Sequence, residues 1–298
     1  MIDDGRVGGA PISWGVCEVP GWGVMLPAER VLSEMRSLGI SATELGAPGF
    51  LPRDPQELRA VLDRHGMRFV GGFVPVVLHD LDARKATLAD ARETAALFAA
   101  AGGDMFVSAV VVDDGWGPRF ALSPTQWDHL VGMLGELDEL CDGYGLTHAV
   151  HPHVGTLIET AADVTMVLER SDVRWTLDTG HLFIGGYDPV QFADDAGDRV
   201  AHVHLKDVRA AIVESVRQGE RTIRQATVDG VFCPLGQGDV PVRETIEALE
   251  AAGYEGWYVL EQDTDLGSTV PELGSGPIEG ARASVDFLRS ISGPESVD

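Results

Sequence analysis

The 298-residue sequence predicts an α/β fold closed as a (β/α)8 barrel, and three observations lead there. Strand-like and helix-like segments alternate along the whole chain. Eight such units fit into it, at about 37 residues each, which is the rhythm of that barrel. No break in composition and no linker divides the chain, and no GxGxxG follows the first strand to signal the open, doubly wound alternative. The expectation is one barrel domain over residues 1–298, with a long insertion at about 208–239 after the seventh strand.

The elements follow in order. GGAPISWGV reads as a strand, and Pro27 opens the helical run PAERVLSEMRSLG, whose apolar residues recur at helical spacing. ISATELG is the second strand, and DPQELRAVLDRHG is a helix with Pro55 in its first turn and Gly66 at its end. MRFVGGFVPVV is followed by a long Ala-rich helix from about Asp82 to Ala101. After the strand DMFVSAVVV comes a helix capped by Ser123, with Pro124 at its first position. GLTHAVHPH, VRWTLDTG, RVAHVHLKD and GWYVLEQD complete the strands, with helices near 159–170, 188–196, 240–252 and 278–291. The connection from Val208 to Asp239 breaks the rhythm. It is long, charged and contains glycines, which suits a lid over a site or a contact between copies of the chain.

Composition narrows the function. A formal net charge of −25 repels phosphate backbones, because nucleic-acid affinity comes largely from Lys and Arg displacing counterions. No apolar run approaches the roughly 20 residues that cross a bilayer. The start MIDDGRVGG has no apolar stretch of a secretory signal, and three dispersed cysteines without a CxxC suit a reducing compartment. The expectation is a cytoplasmic protein that acts on a small molecule and binds neither nucleic acid nor membrane.

Barrel chemistry gathers where strands end. Six of the nine histidines fall between positions 148 and 204, less than a fifth of the chain. The fifth strand ends in His151 and His153, with Glu159 just beyond. The sixth gives Asp178 and, in the turn, His181; the seventh gives His202, His204, Lys206 and Asp207; the eighth gives Glu261 and Asp263. From 151 to 178 is 27 residues and from 178 to 204 is 26, close to one strand–helix unit. Imidazoles and carboxylates on neighbouring strand ends make a mixed N/O site for a divalent metal, and Asp178, His204 and Glu261 are its first candidates. His148 and His202 read as core histidines.

On the substrate side, Trp14 offers a flat apolar wall for a sugar or cyclitol ring, or else plugs the barrel. Glu44, which ends the second strand inside TELG, offers hydrogen bonds to hydroxyls or a base, since buried Glu without a partner is rare. Lys206, beside carboxylates, is suited to orienting a carbonyl.

The motifs APISWGV, ATELG, HPHVGTLIE, LDTGH followed by GGYDP, HVHLKD, FCPLGQGDVP and GWYVLEQD resemble the sugar phosphate isomerase/epimerase superfamily of xylose-isomerase-like TIM barrels. The resemblance runs from about residue 8 to residue 290 and is nearest to its inosose (2-keto-myo-inositol) dehydratase branch. It implies a divalent metal, typically Mn or Co, with Mg, Fe or Zn as further choices, held by Asp178, His204 and Glu261. Many members carry Glu near the end of the fifth strand, where this chain reads His151, so the fourth ligand is Glu159 reaching back or His151 in its place. The implied reaction is loss of water from a keto-cyclitol or keto-sugar by removal of the α-proton and departure of the β-hydroxyl. Glu44 or His181 then serves as base, and His153 or Lys206 as the acid-side group, with Trp14, Glu44, His153 and Lys206 against the substrate. Alternatives within the resemblance are a ketose epimerase or sugar isomerase and a 3-oxo-glycoside β-eliminating lyase. Relatives of this kind are often homo-oligomers.

Overall fold

The computed structural model describes residues 4–292 apart from 18 and 20. Eight parallel strands form the barrel: β1 (Val7–Gly9), β2 (Ala42–Glu44), β3 (Arg68–Val76), β4 (Met105–Val110), β5 (Thr147–Val150), β6 (Trp175–Asp178), β7 (Val200–Leu205) and β10 (Tyr258–Leu260). β1 pairs with both β2 and β10, so the sheet closes and leaves no edge. The barrel expected from the alternation is the barrel observed.

Helices stand between the strands: α1 (Ala28–Ser37), α2 (Pro55–His65), α3 (Arg84–Ala101), α4 (Pro124–Asp142), α5 (Ala161–Arg170), α7 (Pro189–Ala196), α10 (Val242–Ala251) and α11 (Pro277–Ser292). Their starts were legible because side chains close them. Asp54 accepts from the backbone N–H groups of Gln56 and Glu57, and Ser123 with Gln126 and Thr160 with Asp163 form reciprocal capping boxes. Each such cap is worth about 1 kcal/mol.

Two boundaries differ from the sequence reading. The first strand is only three residues long, because Pro11 starts a 3-10 turn over Pro11–Trp14 that ends at Gly15 with φ 79°. The sixth strand stops at Asp178, whose side chain accepts from the backbone N–H of His181 and so starts a short helix, α6 (Thr179–Gly185).

Strand alternation sorts the side chains into two layers. Val203 and Leu205 face outward into the large apolar layer between strands and helices, while Val70, Met105, Val107, Ala149 and Val259 form a small apolar cluster of their own. Close packing of β3 on β4 requires glycine at 71, where φ is 131° and a Cβ would meet the Met105 carbonyl oxygen at 1.9 Å.

The connection after β7 is folded rather than loose. It carries β8 (Asp207–Val208), α8 (Ala210–Arg217), α9 (Ile223–Val228) and β9 (Phe232–Cys233), with β8 and β9 antiparallel. The Asp207 carboxylate fastens it. Oδ2 accepts from the backbone N–H groups of Gly236 and Gly238, both at 2.9 Å, and Oδ1 from those of Val208 and Val240 at 2.9 and 3.1 Å. Among the described residues no helix is long and apolar enough to cross a membrane.

Candidate metal centre

β7 supplies the spine of the site. Its alternation puts His202, His204 and Lys206 on one face, and all three are buried. Pairing of β6 with β7 sets Asp178 beside His204. Thr179 locks this junction, donating its hydroxyl to the Lys206 carbonyl at 2.7 Å and accepting from the Lys206 N–H at 2.9 Å. Gly180 permits the close approach, since a Cβ there would lie 2.6 Å from the Lys206 side chain. Glu261 and Asp263 follow the end of β10, and His151 follows β5.

These groups converge. Asp178 Oδ2 lies 3.4 Å from His151 Nε2, 3.5 Å from Lys206 Nζ and 3.7 Å from His204 Nδ1. His204 Nδ1 also meets Glu261 Oε2 in a close contact. Lys206 Nζ reaches Asp263 Oδ1 at 2.9 Å, Glu261 Oε1 at 3.2 Å and His181 Nε2 at 2.8 Å. Below them, Glu44 Oε1 accepts from His202 Nε2 at 2.9 Å and His204 Nε2 at 3.0 Å. His153 stacks on His181 with ring centroids 3.9 Å apart.

Burial and charge pull these groups in different directions. Burial alone would raise the Glu44 carboxyl, but His204 and His202 override it and hold it at about 2. Burial likewise opposes ionisation of Asp178 and Glu261, yet Lys206 for the first and His204 for the second keep both below the usual carboxylate range. Asp263 goes the other way: burial, with Glu261 adding repulsion, pushes it up to about 6 against the pull of Lys206. Burial lowers His153 to about 3, helped by His151 and Lys206, and it also lowers His181 well below the ordinary imidazole value, with His153 and Lys206 adding to it. His204 is the exception. Glu261 and Glu44 outweigh its burial and raise it well above the ordinary imidazole value.

The donor set suits a divalent cation. His151, Asp178 and His204 each offer one ligand atom, and these atoms lie within 4.8 Å of one another; Glu44, His202 and His204 form a second such group. His204 Nδ1 and Glu261 Oε2 are buried and face each other without hydrogen-bond geometry. Atoms of this kind, mixed N and O and aimed at one region, fit a borderline-hard metal such as Mn, Co or Zn.

The other expected residues lie as follows. Glu159 accepts from the Gly155 N–H at 2.9 Å and pairs with Arg119 at 3.5 Å, in the loop before α5. Trp14 is fully buried, its indole N–H donating to Glu34 at 2.9 Å, on the helix side of the barrel wall. Groups that the sequence marks only as packing or loop residues also gather here. Phe232 on β9 covers Lys206 Nζ at 5.2 Å from its ring centre. Trp116 stacks on Phe73, and both rings meet His153. Trp116 is the one described non-glycine residue with positive φ, 55°, a conformation with no local sequence signature beyond the glycines on either side of it.

A closed eight-stranded barrel with imidazoles and carboxylates buried at the carboxyl ends of its strands is a TIM barrel carrying its polar site at the usual mouth. The chain belongs to the xylose isomerase-like TIM barrel family, whose family model matches residues 32–291. Among its relatives are two inosose dehydratases. That of Geobacillus kaustophilus (strain HTA426) is 34% identical over 276 residues, 87% of this chain and 88% of the relative. That of Geobacillus thermodenitrificans (strain NG80-2) is 30% identical over 306 residues, 97% of each. In fold the chain is also similar to a crystal structure of a protein named IolI with a zinc atom, at TM-score 0.70 and 14% identity, covering 96% of this chain and 97% of that one.

Proposed function

We propose that this protein is a metal-dependent dehydratase acting on a keto-cyclitol such as 2-keto-myo-inositol. The observation that carries the reading is identity to inosose dehydratases along most of the chain, 34% over 87% of it in one case. The buried carboxylate and imidazole cluster supports it.

Asp178, His204 through Nδ1 and Glu261 would hold the cation. His151 is the fourth ligand in this reading, because its Nε2 is 3.4 Å from Asp178 Oδ2, whereas Glu159 is engaged by Gly155 and Arg119. When bound, a divalent cation polarises a ketone oxygen and stabilises negative charge that develops there, a contribution of several kcal/mol.

The chain's own groups manage the protons. His153 Nδ1 is 2.8 Å from the Val154 carbonyl, which can only accept, so Nδ1 carries the hydrogen and Nε2 presents a lone pair. That nitrogen is the base for the α-proton. Glu44 is bound by two histidines beneath the site and is not needed in that role. Lys206, kept cationic by Asp178, Asp263 and Glu261 despite its burial, donates to the departing β-hydroxyl. His181 Nε2, 2.8 Å from Lys206 Nζ, orients it, and Phe232 keeps water from the ammonium. One C–H and one C–O bond break while one C=C and one O–H bond form: the α-proton rests on His153, the hydroxyl leaves as water with a proton from Lys206, and return of a proton from His153 to Lys206 closes the cycle.

The test is turnover of 2-keto-myo-inositol by metal-stripped protein with and without Mn or Co. An ultraviolet-absorbing, dehydrated product formed only with metal is expected. A product isomeric with the substrate would make the protein an epimerase or isomerase, and no product with any metal that binds would overturn the dehydratase reading.

A further inference from the structure

The geometry assigns Glu44 a positioning role: from the far side of the barrel it fixes which ring nitrogen of His204 faces the cation. This rests on the metal reading given above.

His204 has both ring nitrogens committed. Nδ1 faces Glu261 Oε2 and lies 3.7 Å from Asp178 Oδ2, while Nε2 is 3.0 Å from Glu44 Oε1. An ionised carboxylate only accepts hydrogen bonds, so without a cation both ring nitrogens can donate, Nδ1 to Glu261 and Nε2 to Glu44; with a cation between Nδ1 and Glu261 the ring keeps one hydrogen, on Nε2, where Glu44 holds it. The same Glu44 oxygen accepts from His202 Nε2 at 2.9 Å, so His202 is a second donor that pins the carboxylate in place.

The fold builds this contact on purpose-shaped backbone. β2 and β7 are not neighbours, since β1 and β10 lie between them, so Glu44 reaches His204 through the barrel interior. Pairing of β2 with β3 shifts register between Thr43 and Glu44, with Gly71 as the partner of Glu44. Glu44, His202 and His204 are all buried. A carboxylate held on the remote nitrogen of a ligating imidazole orients the ring and raises its basicity.

The alternative use of the same three residues is a second ion bound directly by Glu44, His202 and His204. The distances of 2.9 and 3.0 Å are those of hydrogen bonds. Direct ligation would also demand that His204 give up its Nε2 hydrogen while bound through Nδ1.

The experiment measures Mn2+ and Zn2+ affinity and stoichiometry on the full chain by competition with a chromophoric chelator, for the wild type, Glu44→Gln and Glu44→Ala. Circular dichroism confirms the fold of each. One ion per chain is expected in the wild type, with Kd weakened about 10- to 100-fold in Glu44→Ala. Glu44→Gln, which keeps the shape and one acceptor oxygen, should recover part of that loss and serves alone if the alanine variant does not fold. Nitrogen-15 spectra of the imidazoles give a second readout: in the Zn2+-loaded wild type His204 should carry its one hydrogen on Nε2, and Zn2+-loaded Glu44→Ala should lose that single form. Unchanged affinity in both variants, or two ions in the wild type falling to one in Glu44→Ala, would overturn the positioning role. A wild-type chain that binds neither ion would instead overturn the metal reading itself.

Discussion

Two histidines on adjacent parts of this barrel keep very different company. His148 on β5 lies outside the barrel wall, accepting from or donating to Ser108 Oγ at 2.7 Å and pairing through Nδ1 with Asp138 on α4. His204 lies inside, with Glu44 on one nitrogen and Glu261 and Asp178 crowding the other. The first is a closed chain of Ser, His and Asp, one partner for each nitrogen. It has the order of a hydrolytic triad, but Ser108 is wholly buried in the packed layer under α4, and no substrate could reach it. The second is oversupplied with negative charge: Glu44, Asp178, Glu261 and Asp263 surround Lys206 and a few imidazoles. A satisfied polar chain is architecture. An unbalanced one is where a cation and a substrate are wanted.

Substitutions can break this contrast, and the largest effect should come from the inner cluster. Asp178→Asn should reduce turnover of the keto-cyclitol by about a thousandfold or more, the equivalent of roughly 4 kcal/mol in the barrier. Ser108→Ala should leave kcat within about twofold in the same assay. Next in size is Lys206→Met, which strands three buried carboxylates. Urea unfolding of the metal-free protein should show a loss of about 3–5 kcal/mol, with Mn2+ restoring part of it. A loss unaffected by metal would remove the link between Lys206 and the cation site.

Smaller effects sharpen the outer side. Asp207→Ala frees four backbone N–H groups and should cost about 3 kcal/mol in the same unfolding measurement. His148→Phe should cost about 1–3 kcal/mol by leaving the Ser108 hydroxyl unpaired, with activity retained. Smallest of all is the response of Cys141, whose thiol burial pushes up to about 12, with Asp138 and Asp142 adding to it. Far below that value it carries a proton, so the folded protein should show no labelling there at pH 8, and full labelling only in denaturant.

Much of the barrel could be read from the chain because its signals are local. Asp54, Ser123 and Thr160 cap helices with their own side chains, and RVAHVHLKD places His202, His204 and Lys206 at every second position, hence on one face of its strand. The cluster of His151, Asp178, His204, Lys206 and Glu261 was legible for the same reason: each stands at a strand end. What escaped depends on contacts between distant positions. Trp14 looks like a residue at the mouth until Pro11 ends the strand early and turns the indole toward Glu34 on α1. Glu44 looks like a free base until His202 and His204 are found across the barrel. Phe232 sits in a segment that reads as a charged loop, and its place over Lys206 exists only because β8 and β9 pair.

That pairing also separates two kinds of sequence change. Both ends of the excursion after β7 are tied to a single side chain, Asp207, which holds them beside one another next to Lys206. The stretch between also grips the barrel, since Arg217 on α8 donates to the Ile184 carbonyl at 3.0 Å and Arg224 on α9 pairs with Asp265 at 3.3 Å. The exposed turn at 218–221 between the two helices is the place where a lineage could add residues, or an engineer a reporter, without touching those contacts.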